Sequence, residues 1–398
     1  MNLPAVVPVG THRVLVTATG PDEQLVSASA ELFVDWSGSY SRIQTTGGYT
    51  ALTATRILDT RLTGDPITSG AERQLAVPPG FVPADATALE LNLTVTRPAR
   101  GGYITVYPCG TPRPLAAAIN FTSTETKANL VDAMYHGDGV LCLWSNVDTD
   151  VVVDLQGYHN ASGLGRLLPR SAVRLVDTRP DHPVGAEQVL QVPVVGAGRA
   201  AAGTTTVALN VAVDAPQHDG FATVYPCGTE RPWASNLNFV AGQTVSNEVL
   251  VPPGADGSIC VYTTAVAHIV IDLDATYDAT ATAGFTALVS GRLADTRLAA
   301  KVAAGHVVAW TVVGDDAAPA GTTAVSLNVA VTDPARDGYL TVYPCGSPLP
   351  LASNLNFAAG RTVSNHVTAS VGSDGTVCIY ASQDTDIVVD VEGIYMRP

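Results

Sequence analysis

The tripeptide Asp-Thr-Arg occurs at residues 59–61, 177–179 and 295–297, a constant step of 118 residues. Tyr-Pro-Cys-Gly keeps the same step, beginning at Tyr107, Tyr225 and Tyr343. So do Cys142, Cys260 and Cys378, the asparagines Asn92, Asn210 and Asn328, and the aspartates Asp154, Asp272 and Asp390. No net insertion or deletion separates these landmarks, so the chain carries three homologous units. A period of 118 residues is too long for a solenoid repeat or a propeller blade and has the size of a whole domain.

Each unit reads as short strands separated by turns. In the first, Ala88–Thr96 alternates polar and apolar residues, and Tyr103–Cys109 follows after Gly101-Gly102. Asp-Gly pairs at Asp138-Gly139, Asp256-Gly257 and Asp374-Gly375 mark hairpins, and Asp150–Gly157 closes the unit. No segment sustains a helical period. The expectation is an all-β chain of three tandem β-sandwich or barrel-like domains, over 49–160, 161–280 and 281–398. Residues 1–36 lie outside the repeat. Thr11–Thr19 and Ser27–Trp36 read as two strands, a β-hairpin resembling the end of an immunoglobulin-like module, and 37–48 reads as a linker.

Composition narrows the function classes. The net charge of −15 argues against nucleic acid and anionic membranes as partners. No apolar run is long enough for a membrane helix. The start, Met1-Asn2-Leu3-Pro4, lacks the features of a signal peptide. The six cysteines fall two per unit, as Cys109/Cys142, Cys227/Cys260 and Cys345/Cys378. Homologous units are expected to close their own bridges, which points to an oxidising, extracellular or cell-surface location.

Several recurring residues carry candidate chemistry. Asp154 sits among Val151, Val152, Val153 and Leu155, where an unpaired carboxylate is costly to bury. A recurring arginine, Arg56 or Arg61, is the natural partner. The specific expectation is an Arg61–Asp154 clamp between first and last strands, with copies Arg179–Asp272 and Arg297–Asp390. The alternative is a carboxylate–guanidinium ligand site. Tyr103, Tyr107 and Trp144 accompany the disulfide, either packed on it or offered to sugar rings. Asn236 and Asn354 are further candidates for sugar hydroxyls. Repeat one has Ala116-Ala117-Ala118-Ile119-Asn120 in that segment, so it lacks their equivalent. Asp148 and Asp150, with Asp384 and Asp386, are weak calcium candidates, because the second repeat has Val266-Ala267-His268 there. No metal and no cofactor are expected. The eight histidines do not recur at one repeat position, and no nucleophile–base motif is present, so no catalysis is expected.

The segments RLVDTR, TVYPCG, ASNLNFVAGQTVSN and VVVDLQGY resemble repeat domains of large extracellular proteins of high-GC Gram-positive bacteria. The resemblance spans roughly residues 47–398. It implies a surface location and accessory modules, and it implies no defined activity. The leading functional expectation is a non-catalytic surface binding or adhesion module for cell-wall or extracellular glycan, or for another surface protein. The alternatives are a structural spacer or fibre subunit, including a phage or injection-system fibre, and an accessory region of a secreted hydrolase.

Overall fold

The computed structural model describes residues 46–135, 139–314 and 318–397, together with two strands near the start. These are β1 (Gly10–Thr19) and β2 (Leu25–Val34), which pair antiparallel from Gly10 opposite Val34 to Thr19 opposite Leu25. The expected hairpin is therefore present as a two-stranded sheet. Most of the expected linker, 37–45, lies outside the described residues, as do His136 and Asp138.

Repeat one contributes β3 (Gly48–Asp59), β4 (Glu72–Ala76), β5 (Ala88–Thr96), β6 (Gly102–Pro108), β7 (Ile119–Phe121), β8 (Lys127–Met134), β9 (Val140–Ser145) and β10 (Asp150–Asn160). Repeat two follows with β11 (Arg166–Asp177), β12 (Gln188–Pro193), β13 (Thr204–Asp214), β14 (Gly220–Pro226), β15 (Leu237–Phe239), β16 (Val245–Val251), β17 (Ser258–Thr263) and β18 (His268–Asp278). Repeat three has β19 (Gly284–Asp295), β20 (His306–Thr311), β21 (Thr322–Thr332), β22 (Gly338–Pro344), β23 (Leu355–Phe357), β24 (Val363–Ser370), β25 (Thr376–Ala381) and β26 (Asp386–Met396). Among the described residues the only helical turns are α1 (Thr60–Thr63) and a 3-10 turn at Thr296–Leu298.

In each repeat the strands form two four-stranded antiparallel sheets. One has the order β3-β10-β5-β8 and the other β4-β9-β6-β7, with the same orders in the copies. Eight strands in these two interleaved orders make a jelly roll. Alternation builds its core: Leu89, Leu91, Leu93 and Val95 of β5 meet Ile104 and Val106 of β6 and Leu141 and Leu143 of β9. The disulfides Cys109–Cys142, Cys227–Cys260 and Cys345–Cys378 each bridge Cα atoms 5.0 Å apart. Each joins the segment after the sixth strand type to the neighbouring β9-type strand, across a separation of 33 residues. Loop-closure entropy makes each worth about 3–4 kcal/mol.

The three jelly rolls are not beads on a string. They close into a ring around a pseudo-threefold axis. β8, β16 and β24 pack against one another pairwise. Gly47 bridges Phe285, Tyr49 bridges Gly165, and Leu167 bridges Ala283, so each repeat's entry pairs with another's. Glycine is needed at this approach, since a Cβ on Gly48 would lie 1.9 Å from the Gly163 carbonyl oxygen.

The recurring asparagines complete the closure. Asn92 donates to the Ser235 carbonyl at 2.7 Å, Asn210 to that of Ser353, and Asn328 to that of Ala117. Asn247 donates to Asn92, Asn365 to Asn210 and Asn129 to Asn328, at 3.1–3.2 Å. Each repeat thus binds both others. The polar face of β5, with Glu90, Asn92 and Thr94, is consequently as buried as its apolar face.

Candidate functional site

The Asp-Thr-Arg tripeptide is a structural joint, with pairings that differ from the sequence expectation. Arg61 does not reach Asp154. It folds back on Asp59, with Nε–Oδ1 at 2.8 Å and Nη2–Oδ2 at 2.6 Å. Arg179 and Arg297 do the same with Asp177 and Asp295 rather than with Asp272 and Asp390. The reason is local: the strand ends at Asp59, which caps the turn α1, so strand alternation no longer places residue 61. The partner of Asp154 is Arg56, directly opposite it in the β3–β10 ladder. Arg174 and Arg292 hold Asp272 and Asp390 in the same way. The central threonine is also used. The hydroxyls of Thr60, Thr178 and Thr296 accept the amides of Val151, Ile269 and Ile387 on the last strand, at 2.8–2.9 Å.

Asn236 and Asn354 do not face a ligand either. Both are buried, and their side-chain oxygens accept the amides of Val224 and Val342 at 2.8 and 2.7 Å. They secure the loop that enters the ring junction.

The aromatic candidates lie on the second sheet of each repeat, on β6 and β9 and their copies. Tyr103 and Trp144 pack with ring centroids 5.6 Å apart, and Arg113 lies 3.5 Å over the Trp144 ring. Phe221 and Tyr262 repeat this at 6.2 Å, with Arg231 over Tyr262 at 3.6 Å. Tyr339 and Tyr380 repeat it at 6.0 Å, with Leu349 at the arginine's repeat position. Phe221 and Tyr339 keep more than a third of their surface exposed. Tyr107, by contrast, is buried and donates its hydroxyl to Glu72. Burial and that carboxylate push the Tyr107 hydroxyl well above the ordinary tyrosine range.

A cleft of about 540 Å³ gathers residues of all three repeats, including Glu125, Lys127, Asn238, Gln243, Tyr339 and Arg361. Glu125, Gln243 and Arg361 occupy one repeat position. Gln243 donates to Glu125 at 3.3 Å. Burial brings the Lys127 ammonium down to about 8.

The ring interior holds a polar network whose members do not recur between repeats. His366 meets Asp132 at 3.2 Å through Nε2 and Glu248 at 3.1 Å through Nδ1. Ser326 Oγ lies 2.9 Å from Nε2. The contact order Ser326–His366–Glu248 has the outline of an acyl-transfer triad. Ser326 and His366 are nevertheless at most 1% exposed. Burial alone would lower the imidazole, but the flanking Glu248 and Asp132 carboxylates outweigh it and raise the ring well above its ordinary range, which favours the charged form over a general base.

No family model matches the chain, and no curated protein sequence matches it. Among solved structures, a chain from "The Triple Jelly Roll Fold and Turret Assembly in an Archaeal Virus" is 8% identical, covers 98% of this chain and 91% of its own, and has a TM-score of 0.20. The N-terminal CBM22-1-CBM22-2 tandem domain of Paenibacillus barcinonensis Xyn10C is 12% identical, covers 58% of this chain and 94% of its own, and has a TM-score of 0.18. TM-scores this low do not establish a shared fold. The strand order, read directly, identifies each unit as a jelly roll. The three disulfides are consistent with an extracellular protein. No helix among the described residues is long and apolar enough to cross a membrane.

Proposed function

We propose that the chain is a non-catalytic extracellular module that binds glycan through the aromatic pairs of its second sheets. The observation supporting this is their threefold repetition: Tyr103/Trp144, Phe221/Tyr262 and Tyr339/Tyr380 occupy the same sites on the second sheet of each repeat. Partly exposed rings offer apolar faces, while neighbouring polar groups orient a polar ligand. Ring closure holds the three stations at fixed separation, so a polymeric ligand gains avidity when its own spacing matches. Burial of Ser326 and His366 supports the non-catalytic part.

The test is calorimetric titration of the full chain with soluble cell-wall polysaccharide. The triple variant Tyr103→Ala, Phe221→Ala, Tyr339→Ala should bind at least about tenfold more weakly with its melting temperature nearly unchanged. Equal binding by the variant contradicts the aromatic stations. A fluorophosphonate probe should leave Ser326 unlabelled. Labelling that Ser326→Ala abolishes contradicts the absence of catalysis.

A second reading, a rigid structural spacer, draws support from the ring closure itself: three disulfide-locked sandwiches joined by buried amides make a stiff block. Absence of glycan binding in the wild-type titration favours it.

A further inference from the structure

Repeat one departs from its copies at three adjoining places. It has Glu90 where repeats two and three have Ala208 and Ser326. It has Asp132 where they have Leu250 and Thr368, and His159 where they have Tyr277 and Tyr395. These positions are neighbours in space. Glu90 stands opposite Asp132 in the β5–β8 ladder. Gly157 of β10 stands opposite Glu90, and His159 lies two residues further along the same strand face. One ligand atom from each of the three side chains lies within 4.8 Å of the other two.

All three residues are at most 3% exposed. Neither oxygen of Glu90 has a hydrogen-bond partner, nor does Oδ1 of Asp132, nor either ring nitrogen of His159. The other Asp132 oxygen is occupied by His366. Each of the three side chains thus brings at least one unpaired polar atom to the cluster. Stranded buried polar groups cost about 1–3 kcal/mol each, and charged ones more. Among the described residues His366 is the one basic side chain paired with Asp132, and no basic side chain pairs with Glu90. A proton shared between the two carboxyls would relieve one contact and leave the imidazole without any.

We propose that Glu90, Asp132 and His159 bind one divalent transition-metal ion, of the zinc or manganese class, inside the ring. An imidazole nitrogen with two carboxylate oxygens is a ligand set for these ions. Thiolate chemistry is absent, because every cysteine is in a disulfide. Both ring nitrogens of His159 lack a hydrogen-bond partner, so either can serve as the ligand atom. Packing fixes the ring, with centroids 4.3 Å from Phe285 and 5.1 Å from Tyr49. Bonds of about 2.0–2.2 Å to zinc would draw the three side chains slightly together and leave one coordination position for a non-protein ligand. The ion ties β5, β8 and β10 together at the ring interior and offsets the charge of two carboxylates there.

The copies supply the control substitutions. Glu90→Ala and His159→Tyr install the residues that repeat two carries at these positions, Ala208 and Tyr277, so the ring already accommodates them in a neighbour. The untagged full chain is produced with zinc and manganese supplied, and metal is measured by mass spectrometry beside the melting temperature before and after chelator. The expected result is about one ion per wild-type chain and less than about a tenth of that in the double variant. Chelation should lower the melting temperature of the wild type alone. Wild-type protein without stoichiometric metal overturns the proposal, as does a folded double variant that retains it.

Discussion

Arg56 stands opposite Asp154 in the ladder between β3 and β10, and its guanidinium holds both carboxylate oxygens, at 2.9 and 3.2 Å. Asp154 is almost fully buried, while a third of the arginine side chain reaches solvent. The pair pins the first strand of the repeat to the last, and the ring repeats it twice.

Removing one partner should therefore cost far more than removing both. Arg56→Leu strands a buried carboxylate and should cost about 3 kcal/mol. Arg56→Leu with Asp154→Leu should cost much less than the sum of the single changes. Arg61→Leu breaks a more exposed pair and should cost about 1 kcal/mol or less. Denaturant unfolding of the full chain measures all four. Additive losses for the Arg56/Asp154 cycle would assign the clamp elsewhere.

The tripeptide also sets an acid limit. The hydrogen bond from Arg179 holds the Asp177 carboxyl down to about 2, below its ordinary 3.8. Arginine partners lower Asp59 and Asp295 too. A depressed folded-state value means that the stabilisation is complete above about pH 4 and disappears as the pH falls towards 2. Melting temperatures of the wild type should fall more steeply through that window than those of Arg179→Met. Parallel curves would show that the pair contributes nothing to folding.

Ring closure predicts that a single repeat is incomplete. Residues 164–281 alone would expose Leu167, Ala208, Leu250, Ala275 and Tyr277, which are now buried between repeats. They would also lose the Asn210–Ser353 and Asn247–Asn92 contacts. Such a fragment should melt well below the full chain and self-associate in sedimentation experiments. A soluble monomer with the melting temperature of the full chain would make the interfaces incidental.

The sequence showed the strands, the disulfides and the repeat unit clearly, because alternation and spacing are local signals. It hid the ring. On β5, Glu90, Asn92 and Thr94 alternate with leucines, a pattern that ordinarily denotes a solvent face. Here the neighbouring repeats bury that face, and only partners distant in sequence reveal it. Arg61 misled for a different reason: alternation applies only while the strand continues, and it stops at Asp59. The candidate metal site carries no repeated signal, since its three residues have no counterparts in repeats two and three. Glu90, Asp132 and His159 are informative as departures from the repeat.

The account rests on closure of the three jelly rolls into one body, and small-angle scattering of the full chain tests it most directly. A compact particle of this length has a radius of gyration of about 21 Å. Three domains of this size strung end to end would give roughly 30 Å or more. The account predicts the compact value, unchanged by moderate salt. A value near that of the extended row would contradict it.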